Sequence, residues 1–177
     1  LNGDLTINSG VTLNTSDNVL PTYYNIYIKG NWTNNGTFTP NTSKVTFNGS
    51  TSPVNITAGA SAFYDVDFTP SSAVSYNLLS SSTRFSRAML LNSNGTLNLN
   101  SQTLILGSNI GAGKTYTVQG VLNINQNASL KFDNQGSRPD MNVSGTLNVI
   151  GTNPTNVATI SRQVAGTPAA NATAINI

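Results

Sequence analysis

Three stretches of the chain recur at a fixed interval. Gly95-Thr96-Leu97-Asn98-Leu99, Gly120-Val121-Leu122-Asn123-Ile124 and Gly145-Thr146-Leu147-Asn148-Val149 follow one another at equal spacing. Within each, apolar residues alternate with asparagine, the pattern of a strand with one buried face. A strand that returns every 20–50 residues signals a solenoid, because each repeat buries its apolar side only by stacking on the next. The expected architecture is all-β: an extended β-solenoid with coils of about 25 residues. Leu97, Leu122 and Leu147 would form one interior ladder and Leu99, Ile124 and Val149 the next. Asn98, Asn123 and Asn148 fall on the outer side, where stacked asparagines can share amide hydrogen bonds along the axis.

Composition supports strands and removes most chemistry. Asparagine, serine and threonine make up about two fifths of the 177 residues, charged residues only 8%, and there is no histidine, cysteine or glutamate. Without histidine or cysteine the usual nucleophile–base pairs and thiolate metal sites cannot be built. Six aspartates leave little material for a glycosidase carboxylate pair, and no Gly-x-Ser-x-Gly elbow occurs. The chain is therefore expected not to be an enzyme and to need no cofactor. The net charge of +2 comes from eight scattered cations, whereas nucleic-acid binding needs clustered ones. No run approaches the ~18 apolar residues of a membrane-spanning helix.

Short strand candidates continue outside the regular trio: Leu5 to Ile7, Val11 to Leu13, Tyr23 to Lys29, Gly36 to Thr39, Lys44 to Phe47, Val54 to Thr57, Phe63 to Phe68, Phe85 to Leu91, Thr103 to Leu106, Thr115 to Gln119, Leu130 to Phe132 and Val157 to Ile160. Leu104 and Leu106, Leu130 and Phe132, and Val157 are expected to line a second wall. Alternation puts Tyr24, Ile26 and Ile28 inward, and sets Tyr64, Val66 and Phe68 on one face of their strand. Gly10 to Leu13 and Gly36 to Thr39, separated by nearly the same interval, fit the scheme of the trio. Pro70 to Ser75 and Ser80 to Thr83 read as loops. Asn-Gly and Ser-Gly pairs such as Ser9-Gly10, Asn35-Gly36, Asn94-Gly95 and Ser144-Gly145, with Gln119-Gly120, are expected to turn corners through positive φ. The whole of 1–177 reads as one domain, with about 151–177 as a cap or inter-subunit contact. A sandwich of short strands is the competing architecture for residues 1–90.

The run Gly30-Asn31-Trp32-Thr33-Asn34-Asn35-Gly36-Thr37-Phe38-Thr39, followed by Lys44-Val45-Thr46-Phe47-Asn48-Gly49 and Phe63-Tyr64-Asp65-Val66-Asp67-Phe68, resembles a β-solenoid repeat of large bacterial secreted and surface adhesin-like proteins. Residues 95–106 are similar to a second unit of the same proteins, and the likeness spans roughly residues 3–150. It implies an all-β, right-handed parallel β-helix (β-solenoid) exposed on a cell surface or secreted, and no catalytic residues.

Several local patterns bear on binding. Asp65 and Asp67, two apart on one strand face, are the candidates for a Ca²⁺ site, and Arg84 or Arg87 could stand beside them in a site for an acidic polysaccharide. Their plainer reading is as solvated charges that discourage lateral strand pairing. Gly107 to Thr115 imitates a phosphate-binding loop, but serine stands where the first glycine belongs and a strand pattern follows where a helix is required. Asn-x-Ser/Thr sequons, candidate glycosylation sites, fall at Asn14, Asn31, Asn35, Asn41, Asn48, Asn55, Asn94, Asn127, Asn142 and Asn171. Trp32, Tyr23, Tyr27 and Tyr64 are candidates for a carbohydrate-stacking surface, with inward packing the expected fate of Trp32.

The function these patterns suggest is structural or adhesive: an extracellular solenoid module, a subunit of a surface fibre, self-associating end to end. Leu5 and Ile7 at one terminus and Ile175 and Ile177 at the other are the candidate contacts. The partners expected are further copies of the chain, glycans or a host surface, with no nucleic acid and no membrane span. The alternative is a carbohydrate-binding or lyase-like β-helix with a Ca²⁺-dependent acidic site.

Overall fold

The computed structural model describes residues 1–16, 23–108, 113–133, 139–151, 157–162 and 174–176. It is a parallel β-solenoid, and no helix occurs among these residues. Successive coils carry β1 (Leu5–Ile7), β2 (Thr12–Asn14) and β3 (Ile26–Ile28); β4 (Trp32–Asn34), β5 (Thr37–Thr39) and β6 (Lys44–Phe47); β7 (Val54–Thr57) and β8 (Phe63–Phe68); and β9 (Val74–Leu78) and β10 (Ser82–Leu91). They continue with β11 (Gly95–Asn98), β12 (Thr103–Leu106) and β13 (Thr115–Val118); β14 (Val121–Ile124), β15 (Ser129–Phe132) and β16 (Asp140–Val143); and β17 (Thr146–Val149), β18 (Thr159–Arg162) and β19 (Ala174–Asn176).

One wall is a seven-stranded parallel sheet, β1-β4-β7-β9-β11-β14-β17. At the ~4.8 Å spacing of paired strands it is about 30 Å tall. The regular repeat is its upper half: Leu97 pairs with Leu122 and Leu122 with Leu147. Lower down the interval is uneven. Leu5 pairs with Trp32, Trp32 with Ile56, Ile56 with Leu78, and Tyr76 with Leu97, so the step shortens at each coil going up. The first half is thus the same solenoid, not a sandwich. The residues equivalent to the trio are β1, β4, β7 and β9, and not 10–13 and 36–39. Those segments belong to a separate two-stranded sheet, in which Leu13 pairs with Phe38.

The opposite side begins as one wall and divides. β3, β6 and β8 stack beneath β10, whose ten residues serve both later walls. Ser82 to Phe85 pair with β12, and Ala88 to Leu91 pair with β13. Ser86 and Arg87 lie between, at a bulge where Phe85 pairs with Phe63 but Ala88 already pairs with Asp65. That irregularity overturns the simple alternation expected for β8. Phe63, Val66 and Phe68 are buried, and Tyr64 faces outward. Tyr24 is also outside, 56% exposed. Strand β9 starts at Val74 and β10 at Ser82, so each enters a segment read as loop.

The interior holds Trp32, Phe38, Phe47, Phe63, Phe68, Tyr76 and Phe85 in successive edge and tilted contacts, with ring centroids 4.7–6.1 Å apart. Such geometry adds about 0.5–1.5 kcal/mol per pair beyond area burial. Above them the aliphatic ladders Leu97–Leu122 and Leu99–Ile124, and the wall of Leu104, Leu106, Leu130 and Phe132, are buried as expected. Val149 and Val157 are not: both are about half exposed (52%), Val149 at the top of its ladder. Two phenols are carried inside and satisfied there, Tyr76 donating to the Phe47 carbonyl (3.3 Å) and Tyr116 to that of Phe85 (2.9 Å). Burial pushes both phenol pKa values far above the ordinary range.

The repeat glycines have a different purpose from the one expected. Of the corner glycines named above only Gly10 has positive φ. Gly120 and Gly145 are required by proximity. A Cβ on Gly120 would strike the carbonyl oxygens of Gly95 and Asn92, and one on Gly145 those of Gly120 and Gln119. Backbone carbonyls of the preceding coil cannot give way as a flexible side chain would. Gly120→Ala should therefore destabilise the fold by about 1–3 kcal/mol in denaturant unfolding, although alanine is normally no worse than glycine in a strand; an unchanged midpoint would refute the close approach.

Candidate functional site

The outer face of the seven-stranded wall carries a single continuous column of side chains. Its rungs are Asp4, Asn31, Asn55, Asn77, Asn98, Asn123 and Asn148, one per strand and in register. Asn148 Nδ2 donates to Asn123 Oδ1 (2.9 Å), Asn123 to Asn98 (2.7 Å), Asn98 to Asn77 (3.1 Å) and Asn77 to Asn55 (3.2 Å). Asn31 Oδ1 then accepts from the Asn55 backbone N–H (2.7 Å). At the bottom, the Asn31 backbone N–H and Nδ2 both donate to the Asp4 carboxylate, at 2.7 and 3.2 Å. These donors hold the Asp4 carboxyl below the usual carboxylate range.

The direction at the foot of the column has a physical cause. An ionised carboxylate only accepts. Asn31 must therefore turn its nitrogen toward Asp4, which leaves its oxygen to accept from the Asn55 backbone N–H; above it, each amide from Asn77 to Asn148 donates to the rung below. The trio identified only the upper three rungs. The lower ones were missed because the uneven steps conceal them, yet Asn31, Asn55 and Asn77 each precede or sit between core residues of their strands, as Asn98 does.

A second polar feature lies where β10 divides. Arg87 donates from both Nε (2.8 Å) and Nη2 to the two oxygens of Asp65, and its guanidinium lies 5.0 Å from the Tyr64 ring centre. The bidentate bond raises the Arg87 pKa further. Lys44 pairs with Asp67 at 2.7 Å. Arg84 Nη1 donates to Asp133 (2.6 Å) and to the Gly107 carbonyl (2.5 Å). Lys114, buried beside them, donates to the Ser108 carbonyl, and burial lowers its pKa.

The structure thus brings Asp65, Asp67, Arg84 and Arg87 into one region, as paired charges. Asp65 is almost fully buried, so it is not the solvated charge of the plainer reading. Each carboxylate already has a cation, and among the described residues no three acidic groups cluster as a metal site would. Lys114 and the following β13 bear out the strand, not helix, after the imitation phosphate loop; residues 109–112 lie outside the described residues. A cavity of about 300 Å³ opens beside Arg84, lined by Gly59, Ser61, Ser82 and Ile105 among others.

The remaining candidates separate by exposure. Asn14, Asn35, Asn94, Asn127 and Asn142 are exposed, while Asn31 and Asn55 are rungs of the column and Asn41 and Asn48 are half-buried. Asn171 lies outside the described residues. Trp32 is wholly buried against Phe38 and Phe63, so it cannot join Tyr23, Tyr27 and Tyr64 in a stacking surface. Leu5 is half-buried and Ile7 buried at the lower end; Ile175 lies in β19, paired with Met141, and Ile177 lies outside the described residues. No family model matches the chain, and neither curated proteins nor solved structures yield a match.

Two substitutions probe these features. Asn98→Asp removes one donor and sets a carboxylate against Asn77 Oδ1, so it should cost about 1–2 kcal/mol at pH 7. The folded-state pKa of the new carboxyl should be raised, because only its protonated form can donate. The deficit should then shrink as pH falls through that value, measured by urea unfolding at pH 7 and pH 3. Arg84→Ala leaves the buried Asp133 without its guanidinium and should cost about 1–3 kcal/mol, whereas Lys44→Ala, at an exposed pair, should cost under ~1 kcal/mol.

Proposed function

We propose that the chain is a structural or adhesive module of a secreted or cell-surface fibre, assembled end to end, and that it is not an enzyme. The observation that carries this reading is the character of the two end faces. At the lower end, β1, β2 and β3 each pair on one side only among the described residues. They surround an apolar cavity of about 480 Å³ lined by Leu1, Leu5, Leu13 and Ile26, with Tyr27 at its edge. At the upper end, β17, β18 and β19 likewise each pair on one side, and Val149, Ile150, Val157 and Ile160 are exposed.

Open parallel edges next to exposed apolar surface invite a further coil. A head-to-tail contact between unlike faces repeats without closing, which makes a filament. The sequence resemblance to repeats of bacterial surface adhesin-like proteins agrees with such a location, as does the scarcity of titrating groups on a surface of hydroxyls and amides. The exposed sequons at Asn35, Asn94 and Asn127 would project from the sides, clear of both end contacts, if the source glycosylates them.

The test is sedimentation velocity over a concentration series, with electron microscopy of the same samples. Rods of constant width whose length grows with concentration are expected, and Ile26→Lys at the lower face should shorten them. Particles of one length at every concentration, indifferent to Ile26→Lys, would exclude end-to-end assembly.

A further inference from the structure

The two arginines of the branch point are used differently. Arg87 turns its Nε–Nη2 edge to both oxygens of Asp65. Arg84 binds the protein through Nη1 alone, which donates to the Gly107 carbonyl and to Asp133 on the coils above. Its own Nε–Nη2 edge makes no hydrogen bond among the described residues. Such an edge is a planar pair of N–H donors, the match for a carboxylate. Arg84 also lines the side cavity of about 300 Å³, and no acidic residue among the described ones lines it. The cavity has a cause in the sequence. Because Phe63 pairs with Phe85, Ala60 and Ala62 come beneath Ser82 and Arg84. A methyl group there leaves open the space that longer side chains fill on the coils above.

A second cation stands on the same face. Arg84 pairs with Ile105, and Ile105 with Lys131. Leu104 and Leu106 are buried inside, so this column points outward. Two strand spacings, about 10 Å, separate the positions of the two cations, a distance comparable to one disaccharide of an extended chain. Lys131 has no ion pair among the described residues. Asp133 is buried near both Arg84 and Lys114, so two cations face that one carboxylate. The neighbouring outward column is Ser82, Thr103, Ser129 and Thr159, hydroxyls suited to the hydroxyls of a sugar. Neither column holds a carboxylate to repel an anion or a ring on which nucleic-acid bases could stack.

We propose that this lateral face binds a carboxylate-bearing polysaccharide: the open edge of Arg84 grips one carboxylate at the cavity, and Lys131 attracts another further up the axis. The carboxylates belong to the ligand, so the site needs no Ca²⁺, unlike the acidic site considered from the sequence. It lies on the side of the solenoid and stands whether or not the chain assembles end to end.

The probe is polygalacturonate, titrated into the full chain by calorimetry at pH 7 and low salt with a chelator present. Its methyl ester is the control, the same backbone without the charge. Binding to the acid and not to the ester is expected. Arg84→Lys keeps a cation beside Asp133 but has no planar edge, and should weaken binding by about tenfold. Lys131→Gln should weaken it by about threefold and leave the urea unfolding midpoint unchanged. Because Lys131 has no ion pair to lose, that variant keeps the test if Arg84→Lys disturbs the fold. No binding of the acid up to millimolar uronate, equal binding of acid and ester, or binding indifferent to both substitutions would overturn the site. None of these results bears on rod formation, which is read separately.

Discussion

Everything in this molecule depends on the backbone hydrogen bonds that join each coil to the next along the solenoid axis. They fix the separation of neighbouring strands at about 4.8 Å. A side chain then finds its counterpart on the next coil directly above it. Identical or similar residues in register touch, and any residue that needs more room than one strand spacing is excluded. Glycine at 120 and 145 is the steric statement of this constraint. The asparagine column is its polar statement, because an amide spans one spacing with a single hydrogen bond. The aromatic and leucine ladders are its apolar statement.

The charged residues obey the same geometry in a different way. Two ion pairs, Arg84–Asp133 and Arg87–Asp65, lie where β10 stops being one strand shared by two walls and the regular stacking is interrupted. There the spacing no longer places like over like, and long side chains reach across coils: Arg84 to Asp133 on β15's trailing edge, Arg87 back to Asp65 on β8. Ion pairs of this kind hold a seam in shape. Asp65 and Asp133 are buried and would be costly alone, so the bidentate Arg87 and the Arg84–Gly107 bond stabilise the branch point as much as the carboxylates themselves.

How far the sequence disclosed this structure follows from where coil length is constant. From Leu97 through Leu122 to Leu147 the step does not change, and strand identity, inward faces and three rungs of the column were all legible. Below Tyr76 the step differs from one coil to the next, and the periodicity that makes a repeat visible is lost. There Trp32 and Val74 to Leu78 escaped recognition as members of the same wall, and Gly10 and Gly36 were matched to the wrong one. Tyr64 was misplaced because one residue inserted at Ser86–Arg87 breaks the period-2 rule for β8 as well as β10. The pairing of Asp65 with Arg87, which sit on neighbouring coils, lay beyond sequence pattern because it depends on that same insertion.

The amide column also changes the electrical character of a chain whose composition is close to neutral. Backbone dipoles in a sheet largely cancel. The side-chain amides do not, since each points its N–H toward the Asp4 end and its oxygen toward the Asn148 end. Summed over the wall they behave as the peptide units of a helix do, with partial positive charge at one terminus and partial negative at the other. Asp4 sits at the positive pole, as an acidic residue caps a helix at its N-terminus. The solenoid thus has an axial polarity written in uncharged residues.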